Sequence, residues 1–161
     1  MRQQDIRRCV AGISGLALVG LMSMWTPSMA RAAVDGDVRA GVSGDAEAVS
    51  IGGGVLTQVG RSERWYFNPN VEVAMGDHKD VVSMNGDFHY DLDEGSGPAV
   101  WVGAGPAVLV TNPEVGSSNT DLGLNVLTGV GKKRGSVRPF AQLRGTVAEE
   151  SQVTIAGGIR F

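Results

Sequence analysis

The chain has 161 residues, a formal net charge of −3, 24 glycines and one cysteine, which is enough for one domain but short for two. A hydrophobic share of 42% argues against a disordered chain, and a pI near 5.3 disfavours a nucleic-acid partner, which would need a basic patch. One cysteine cannot form an internal disulfide or a zinc site built from several cysteines. The glycine content is about twice the usual share of roughly 7%.

The first 32 residues have the pattern of a secretion signal. A basic start precedes a largely apolar stretch from Cys9 to Trp25, and the segment closes on Ala30-Arg31-Ala32, an A-x-A cleavage pattern. About 17 apolar residues interrupted by glycines are short for a transmembrane helix. We therefore expect cleavage after Ala32 or after Ala30. Cleavage after Ala32 leaves a domain of residues 33–161 with 21 glycines, no cysteine and a formal charge of −6.

Beyond residue 32, apolar residues alternate with small or polar ones, a period of two that predicts β-strands. The alternating runs are Val38–Ser43, Ser50–Val59, Trp65–Met75, Val82–Leu92, Pro98–Thr111, Leu122–Val130, Arg138–Val147 and Gln152–Phe161. The connectors between them are rich in turn residues, and the longest is predicted at 112–121. Short connectors suit antiparallel neighbours, and most runs reach the roughly 9–11 residues that a tilted strand needs to cross a bilayer.

The two faces of the runs differ in size and charge. One face carries mostly Val, Leu, Ile and Phe without a charge, and the other carries mostly Gly, Ala, Ser and Asn with isolated charges. A soluble sandwich can show the same period, but the second set of residues would fill its core poorly, whereas the lumen of a small barrel accommodates it. We therefore predict an all-β fold: an eight-stranded, antiparallel, up-and-down transmembrane β-barrel, closed so that every backbone group in lipid is paired.

The leader, the even set of runs and the last run, Val153-Thr-Ile-Ala-Gly-Gly-Ile-Arg-Phe161, together resemble the small eight-stranded outer-membrane β-barrels of the OmpA/OmpX type. The resemblance covers residues 33–161. It implies location in the outer membrane of a Gram-negative-type bacterium, contact with outer-membrane lipid and a monomeric state. It also implies that the terminal run is the signal read by the barrel assembly machinery. The residues of that signal would be Val153, Ile155, Ile159 and Phe161.

If both termini are periplasmic, the turns at 60–64, 93–97 and 131–137 are periplasmic as well. Most of the aromatic residues fall near the strand ends on that side. They predict an aromatic girdle at one membrane interface, although the alternation places Tyr66, Trp101 and Phe140 on the inner face. The other connectors would then be external loops.

Five charged residues fall on the inner face. Arg39, Arg144 and Arg160 come from the first, seventh and eighth runs, and Glu72 and Asp87 come from the third and fourth. A closed barrel places these groups across the lumen from each other, and unpaired charges there are costly. We therefore expect a lumen charge network that closes the barrel. A selective pore is the alternative, although eight strands leave an interior just wide enough for side chains.

Two histidines lie near aspartates, as a metal site or a catalytic pair would require. His78 lies in a connector and is expected to be solvated, and His89, between Asp87 and Asp91 on the inner face, is expected to form hydrogen bonds in the lumen. Some barrels of this size resemble lipid A-modifying acyltransferases and deacylases; the deacylases carry a His and a Ser two residues apart on one strand face, and this sequence has no such pair. We predict no catalytic residue, metal or cofactor. The expected function is structural or surface-related, with a narrow porin-like transport barrel and a soluble periplasmic lipocalin-like barrel as alternatives.

Overall fold

The computed structural model describes residues 34–44, 48–77, 79–93, 95, 97–113, 117–149 and 151–161. The predicted signal peptide and His78 lie outside the described residues. The strands are β1 (Val34–Ser43), β2 (Ala48–Gln58), β3 (Trp65–Met75), β4 (Lys79–Asp91), β5 (Ala99–Pro113), β6 (Asn119–Gly131), β7 (Arg138–Val147) and β8 (Gln152–Arg160). Within the described ranges, no helix is long and apolar enough to cross a membrane.

The strands form a closed barrel in sequence order, and each is antiparallel to both neighbours. β1 pairs with β8 from Asp37 opposite Arg160 to Ser43 opposite Thr154. Beyond that ladder, Gly36 and Phe161 exchange two backbone hydrogen bonds, each of 2.9 Å. Closure removes the free edges at which backbone groups would lie unpaired in lipid. The predicted eight-stranded antiparallel barrel is confirmed.

Several strands extend beyond their predicted runs. β1 begins at Val34, four residues before the predicted start. β5 continues to Pro113 and β6 begins at Asn119, so the connector predicted at 112–121 shrinks to residues 114–118. The predicted strand ends followed the alternation of apolar residues, whereas a ladder of backbone hydrogen bonds forms between paired strands whatever their side chains. Polar pairs such as Thr111 opposite Asn119 therefore prolong the sheet.

The two ends of the barrel differ in their aromatic content. We call the end where β1 begins and β8 finishes the terminal end; its connections are residues 59–64, 92–98 and 132–137. Aromatic rings of the outer wall gather towards it, with ring centroids 4.9 Å apart in both the Trp65–Tyr90 and Phe67–Phe88 pairs. The ring of Phe161 is also exposed there. Such rings on an outer wall are typical of a membrane interface.

The barrel is apolar outside and polar inside. Large apolar side chains are exposed around the wall, among them Val38, Ile51, Leu122, Leu124, Val126, Leu143 and Ile155. Buried polar and charged residues outnumber buried apolar ones among the described residues. A soluble domain normally has the opposite arrangement, since charged groups are rarely buried and large exposed apolar surfaces mark contact with another apolar phase.

Candidate functional site

The centre of the lumen holds a cluster of ionic and amide side chains, which we call the central network. Its members are Asp37, Arg39, Asn68, Asn70, Glu72, Asn85, Asp87, Asn125, Arg144 and Thr146. They come from β1, β3, β4, β6 and β7, at positions that the alternation of each strand directs inwards.

Arg39 holds one side of the central network together. Its Nε and Nη2 donate to Asp37 Oδ1 at 2.9 and 2.5 Å, and Nη2 also donates to Asn68 Oδ1 at 2.9 Å. Asn68 Nδ2 donates to Asp37 Oδ2 at 2.9 Å, which completes a ring of three side chains. Arg39 Nη1 reaches Glu72 Oε1 at 3.4 Å. One guanidinium therefore meets two carboxylates, which its several N–H donors allow.

Arg144 spans the lumen from β7 to β3, the strand on the opposite wall. Its Nη2 donates to Glu72 Oε2, so that Glu72 receives both arginines of the central network. Its Nη1 donates to Asn70 Oδ1 at 3.4 Å and lies 3.6 Å from Asp87 Oδ2. These contacts connect strands that share no backbone hydrogen bonds, because β3 and β7 are not neighbours in the barrel.

Asparagine amides complete the remaining side of the central network. Asp87 is fully buried and accepts hydrogen bonds from Asn70 Nδ2 at 3.0 Å and Asn125 Nδ2 at 2.8 Å. Asn85 donates to Asn70 Oδ1 at 3.0 Å and accepts from Asn125 at 2.9 Å. Thr146 donates to Asn125 Oδ1 at 2.7 Å. Buried polar groups linked in this way fix one arrangement of the interior.

Of the five charged residues singled out from the sequence, the structure brings Arg39, Glu72, Asp87 and Arg144 together. The guanidinium of Arg160 instead lies over the rings of Trp101 and Phe140. Sequence reasoning missed Asp37, because it precedes the predicted start of the first run. It also missed the asparagines of the central network, although the alternation of β3, β4 and β6 directs their side chains into the lumen and could have identified them.

An aromatic layer lies on the terminal side of the central network. Trp101 and Phe140 are buried in it with Leu127 and Ala99, as the alternation predicted for both rings. The guanidinium carbon of Arg160 lies 4.3 Å from the Trp101 centroid and 4.7 Å from the Phe140 centroid. Arginine above an aromatic face is stabilised by the ring quadrupole.

Glycines on the inner face make room for the bulky side chains directly opposite them. Trp101 is paired with Gly129 across β5 and β6, and a Cβ at Gly129 would overlap the indole ring. Phe140 is paired with Gly158, where a Cβ would lie 2.6 Å from the phenyl ring. Part of the glycine excess therefore has a steric role, since a narrow lumen cannot hold two large residues facing each other.

The other end of the lumen is closed by apolar contacts. Val81, Ala107 and Leu109 are buried there, and the partly buried Ala74 and Ala148 pack against them. Side chains thus fill the lumen at three levels: this apolar layer, the central network and the aromatic layer.

A cavity of about 190 Å³ lies at the terminal end, beyond the aromatic layer. Its charged lining is partly paired, with Arg138 Nη2 2.6 Å from Asp35 Oδ1 and Lys133 Nζ 3.4 Å from Asp91 Oδ2. His89 lines it too, stacked on Trp101 with the ring planes 5° apart. Within the described residues, no group of three or more His, Cys, Asp or Glu is arranged to hold a metal ion.

The residues of the predicted assembly signal lie on the outer wall. Val153, Ile155, Ile159 and Phe161 are all exposed, and the first three share the outer face of β8. They form an apolar stripe next to the seam between β8 and β1. Recognition of this stripe by the assembly machinery stays a prediction.

No family model and no curated protein sequence matches the chain. Among solved structures, it is similar to Neisserial surface protein A (TM-score 0.64, 18% identity, 79% of this chain and 94% of that one). It is also similar to the N-terminal β-barrel domain of Pseudomonas aeruginosa OprF (0.58, 17%, 79% and 96%) and to a de novo designed transmembrane β-barrel (0.51, 12%, 80% and 94%). Both natural neighbours are eight-stranded outer-membrane barrels. At these identities the likeness establishes the fold.

Proposed function

We propose that the chain is an integral outer-membrane barrel of structural or surface-interaction type, with a lumen closed by its own side chains. The observation that carries this proposal is the distribution of polarity: an exposed apolar wall surrounds a buried ionic network. Lipid solvates such a wall, whereas water would not. The barrel fold shared with outer-membrane proteins supports the same location.

The filled lumen supports a structural role over transport. An ion crossing the barrel would have to displace the Arg39–Glu72–Arg144 contacts and pass the apolar layer around Leu109. Separating buried ion pairs without replacement partners is costly, at about 3–5 kcal/mol when one partner is removed. The barrel is therefore suited to stabilising the envelope or to presenting its loops at the surface, and no catalytic step is assigned to it.

A narrow transport barrel is the second candidate, favoured by the charged cavity at the terminal end. Conductance in planar bilayers distinguishes the two roles. We expect no steady ion current from the purified barrel, since the central network spans the lumen. A reproducible current that persists at low voltage would contradict the closed lumen and favour transport. A soluble lipocalin-like barrel is disfavoured, because its interior would be apolar and its surface polar.

Fractionation and gel mobility test the membrane location. The full chain, expressed with its leader in a Gram-negative host, should appear in the outer-membrane fraction as a band whose mobility changes on boiling. Its mass should show loss of residues 1–32. Recovery in the soluble fraction after osmotic shock would overturn the proposal.

A pair of arginine substitutions tests which surface contacts lipid. Val126, on the outer wall, is 57% exposed, and Val126→Arg should reduce the yield of folded barrel strongly. The reason is that arginine on the lipid face costs about 2–4 kcal/mol at the bilayer midplane. Ser118→Arg, on the exposed loop at the opposite end, is the matched control and should fold normally. Equal yields from the two variants would contradict a lipid-facing wall.

A further inference from the structure

The outer wall carries an apolar groove beside a basic turn at the terminal end. The groove encloses about 700 Å³, and its apolar lining includes Pro98, Val130, Pro139 and Ala141. A second groove of about 400 Å³ continues from Val130 and Ala141, which line both. Together they form a depression between β5 and β7, which we call the wall groove.

A small residue on the outer wall makes room for the wall groove. Ala141, which is exposed on β7, contributes only a methyl group to its lining. Larger side chains, including Val100, Leu143 and Ile155, border the second groove. From Lys132 to Thr128 the groove follows β6 for four residues, or about 13 Å at roughly 3.3 Å per residue. An extended hydrocarbon chain fits this elongated, apolar shape.

Basic side chains border the terminal end of the same groove. Lys132, Lys133 and Arg134 follow β6 directly, and all three line the groove. Lys132 N donates to Pro139 O at 2.9 Å, and Lys132 lines both the wall groove and the cavity at the terminal end of the lumen. Lys133 is engaged with Asp91 and Asp93. Lys132 and Arg134 are exposed at the border of the groove.

We propose that the wall groove binds one anionic glycerophospholipid, with an acyl chain along Val130 and Ala141 and the phosphate beside Lys132 and Arg134. The apolar depression and the basic border match the two ends of such a lipid, since basic residues near a membrane surface attract anionic headgroups and buried methylenes stabilise the chain. The phospholipid, rather than lipid A, follows from the predicted periplasmic position of the terminal end. This inference rests on the proposed membrane location.

The test uses the full chain purified from outer membranes in nonionic detergent, with bound lipid measured by native mass spectrometry. Phosphatidylglycerol should bind in preference to phosphatidylcholine with the same acyl chains. Lys132→Gln and Arg134→Gln should each weaken apparent affinity about fivefold, corresponding to about 1 kcal/mol per basic residue. Arg61→Gln removes an exposed arginine from another turn at the same end and should change it less than twofold. Equal losses for Arg61→Gln and Arg134→Gln would indicate delocalised attraction and overturn the site.

The apolar half of the site has its own control. Ala141→Phe fills the wall groove without changing charge and should abolish preferential phosphatidylglycerol binding, whereas Ala104→Phe, elsewhere on the exposed outer wall, should leave it intact. Equal binding by the two variants would overturn the groove. Tighter binding of lipid A through the same residues would overturn the choice of phospholipid. Loss of the heat-modifiable band would refute the membrane location as well, whereas a normal band without lipid preference would refute only this site.

Discussion

Arg144 and Arg160 lie on the inner faces of neighbouring strands, yet different partners hold them. Arg144 is 3% exposed and meets Glu72, Asn70 and Asp87 in the central network. Arg160 is 9% exposed and lies over the rings of Trp101 and Phe140 in the aromatic layer. The same positive group is therefore neutralised by carboxylates in one layer and covered by aromatic faces in the next.

The difference shows that the inward direction of a side chain, which the strand alternation sets, does not determine how its buried charge is stabilised. In the central network, each charge depends on particular charged or amide partners, so removing one partner leaves another charge uncompensated in a low-dielectric interior. In the aromatic layer, the rings also pack against each other and lose less when the guanidinium leaves. The two layers should therefore respond differently to equivalent substitutions.

The largest effect is expected at Arg144. Arg144→Met leaves Glu72 with only Arg39 and removes a cation beside Asp87, so the free energy of unfolding should fall by about 3–5 kcal/mol. Urea titration in lipid vesicles, followed by tryptophan fluorescence and gel mobility, measures the loss. Adding Glu72→Gln to Arg144→Met should recover part of it, because it removes one of the negative charges that Arg144 had balanced. Wild-type stability of the single variant would refute the ion-pair account.

The packing of the aromatic layer is tested at Gly129. In Gly129→Ala the new methyl group overlaps the Trp101 ring, and overpacking of this kind costs about 1–3 kcal/mol. Gly145→Ala on the neighbouring strand is the matched control, since a Cβ there would lie 4.0 Å from the nearest atom, Val126 O. The same urea titrations should show a clear loss for the first variant and little change for the second. Equal responses would argue against steric matching across the lumen.

Arg160→Met should cost less than Arg144→Met. The cation–π contribution is about 0.5–2 kcal/mol, and the methionine side chain can still pack on the two rings. Both variants remove one guanidinium and introduce the same side chain, so the difference between their urea midpoints measures the contrast between the layers directly. Losses of equal size would mean that Arg160 depends on carboxylates as Arg144 does.

The smallest effect is expected at the mouth of the barrel. The Arg138–Asp35 pair is partly exposed, and partly solvated pairs of this kind contribute up to about 1 kcal/mol. Arg138→Gln should therefore shift the urea midpoint slightly, and added salt should narrow the difference from wild type because it screens exposed charges. A loss of stability as large as that of Arg144→Met and independent of salt would mean that this pair behaves like the buried ion pairs of the central network.

The sequence by itself determined the fold class and the direction in which most strand residues point. Period-two alternation separates an apolar wall from a polar interior, and this separation correctly placed Arg39, Glu72, Trp101 and Phe140 inside. The predicted first run began only at Val38, although Asp35 and Asp37 continue the alternation on the inner face, as Arg39 does. Pairing of β1 with β2 and β8 recruits these residues, and Asp37 thereby becomes the partner of Arg39.

Only the tertiary structure decided which inner residues meet. Contacts across the lumen depend on closure and on the stagger between strands, and a shift of one residue in any register would send a side chain to the other face. Closure brings Arg144 to Glu72 on the opposite wall and places Arg160 over Trp101 and Phe140. Alternation fixes the face of each residue, whereas its height in the barrel is set by all eight strands together.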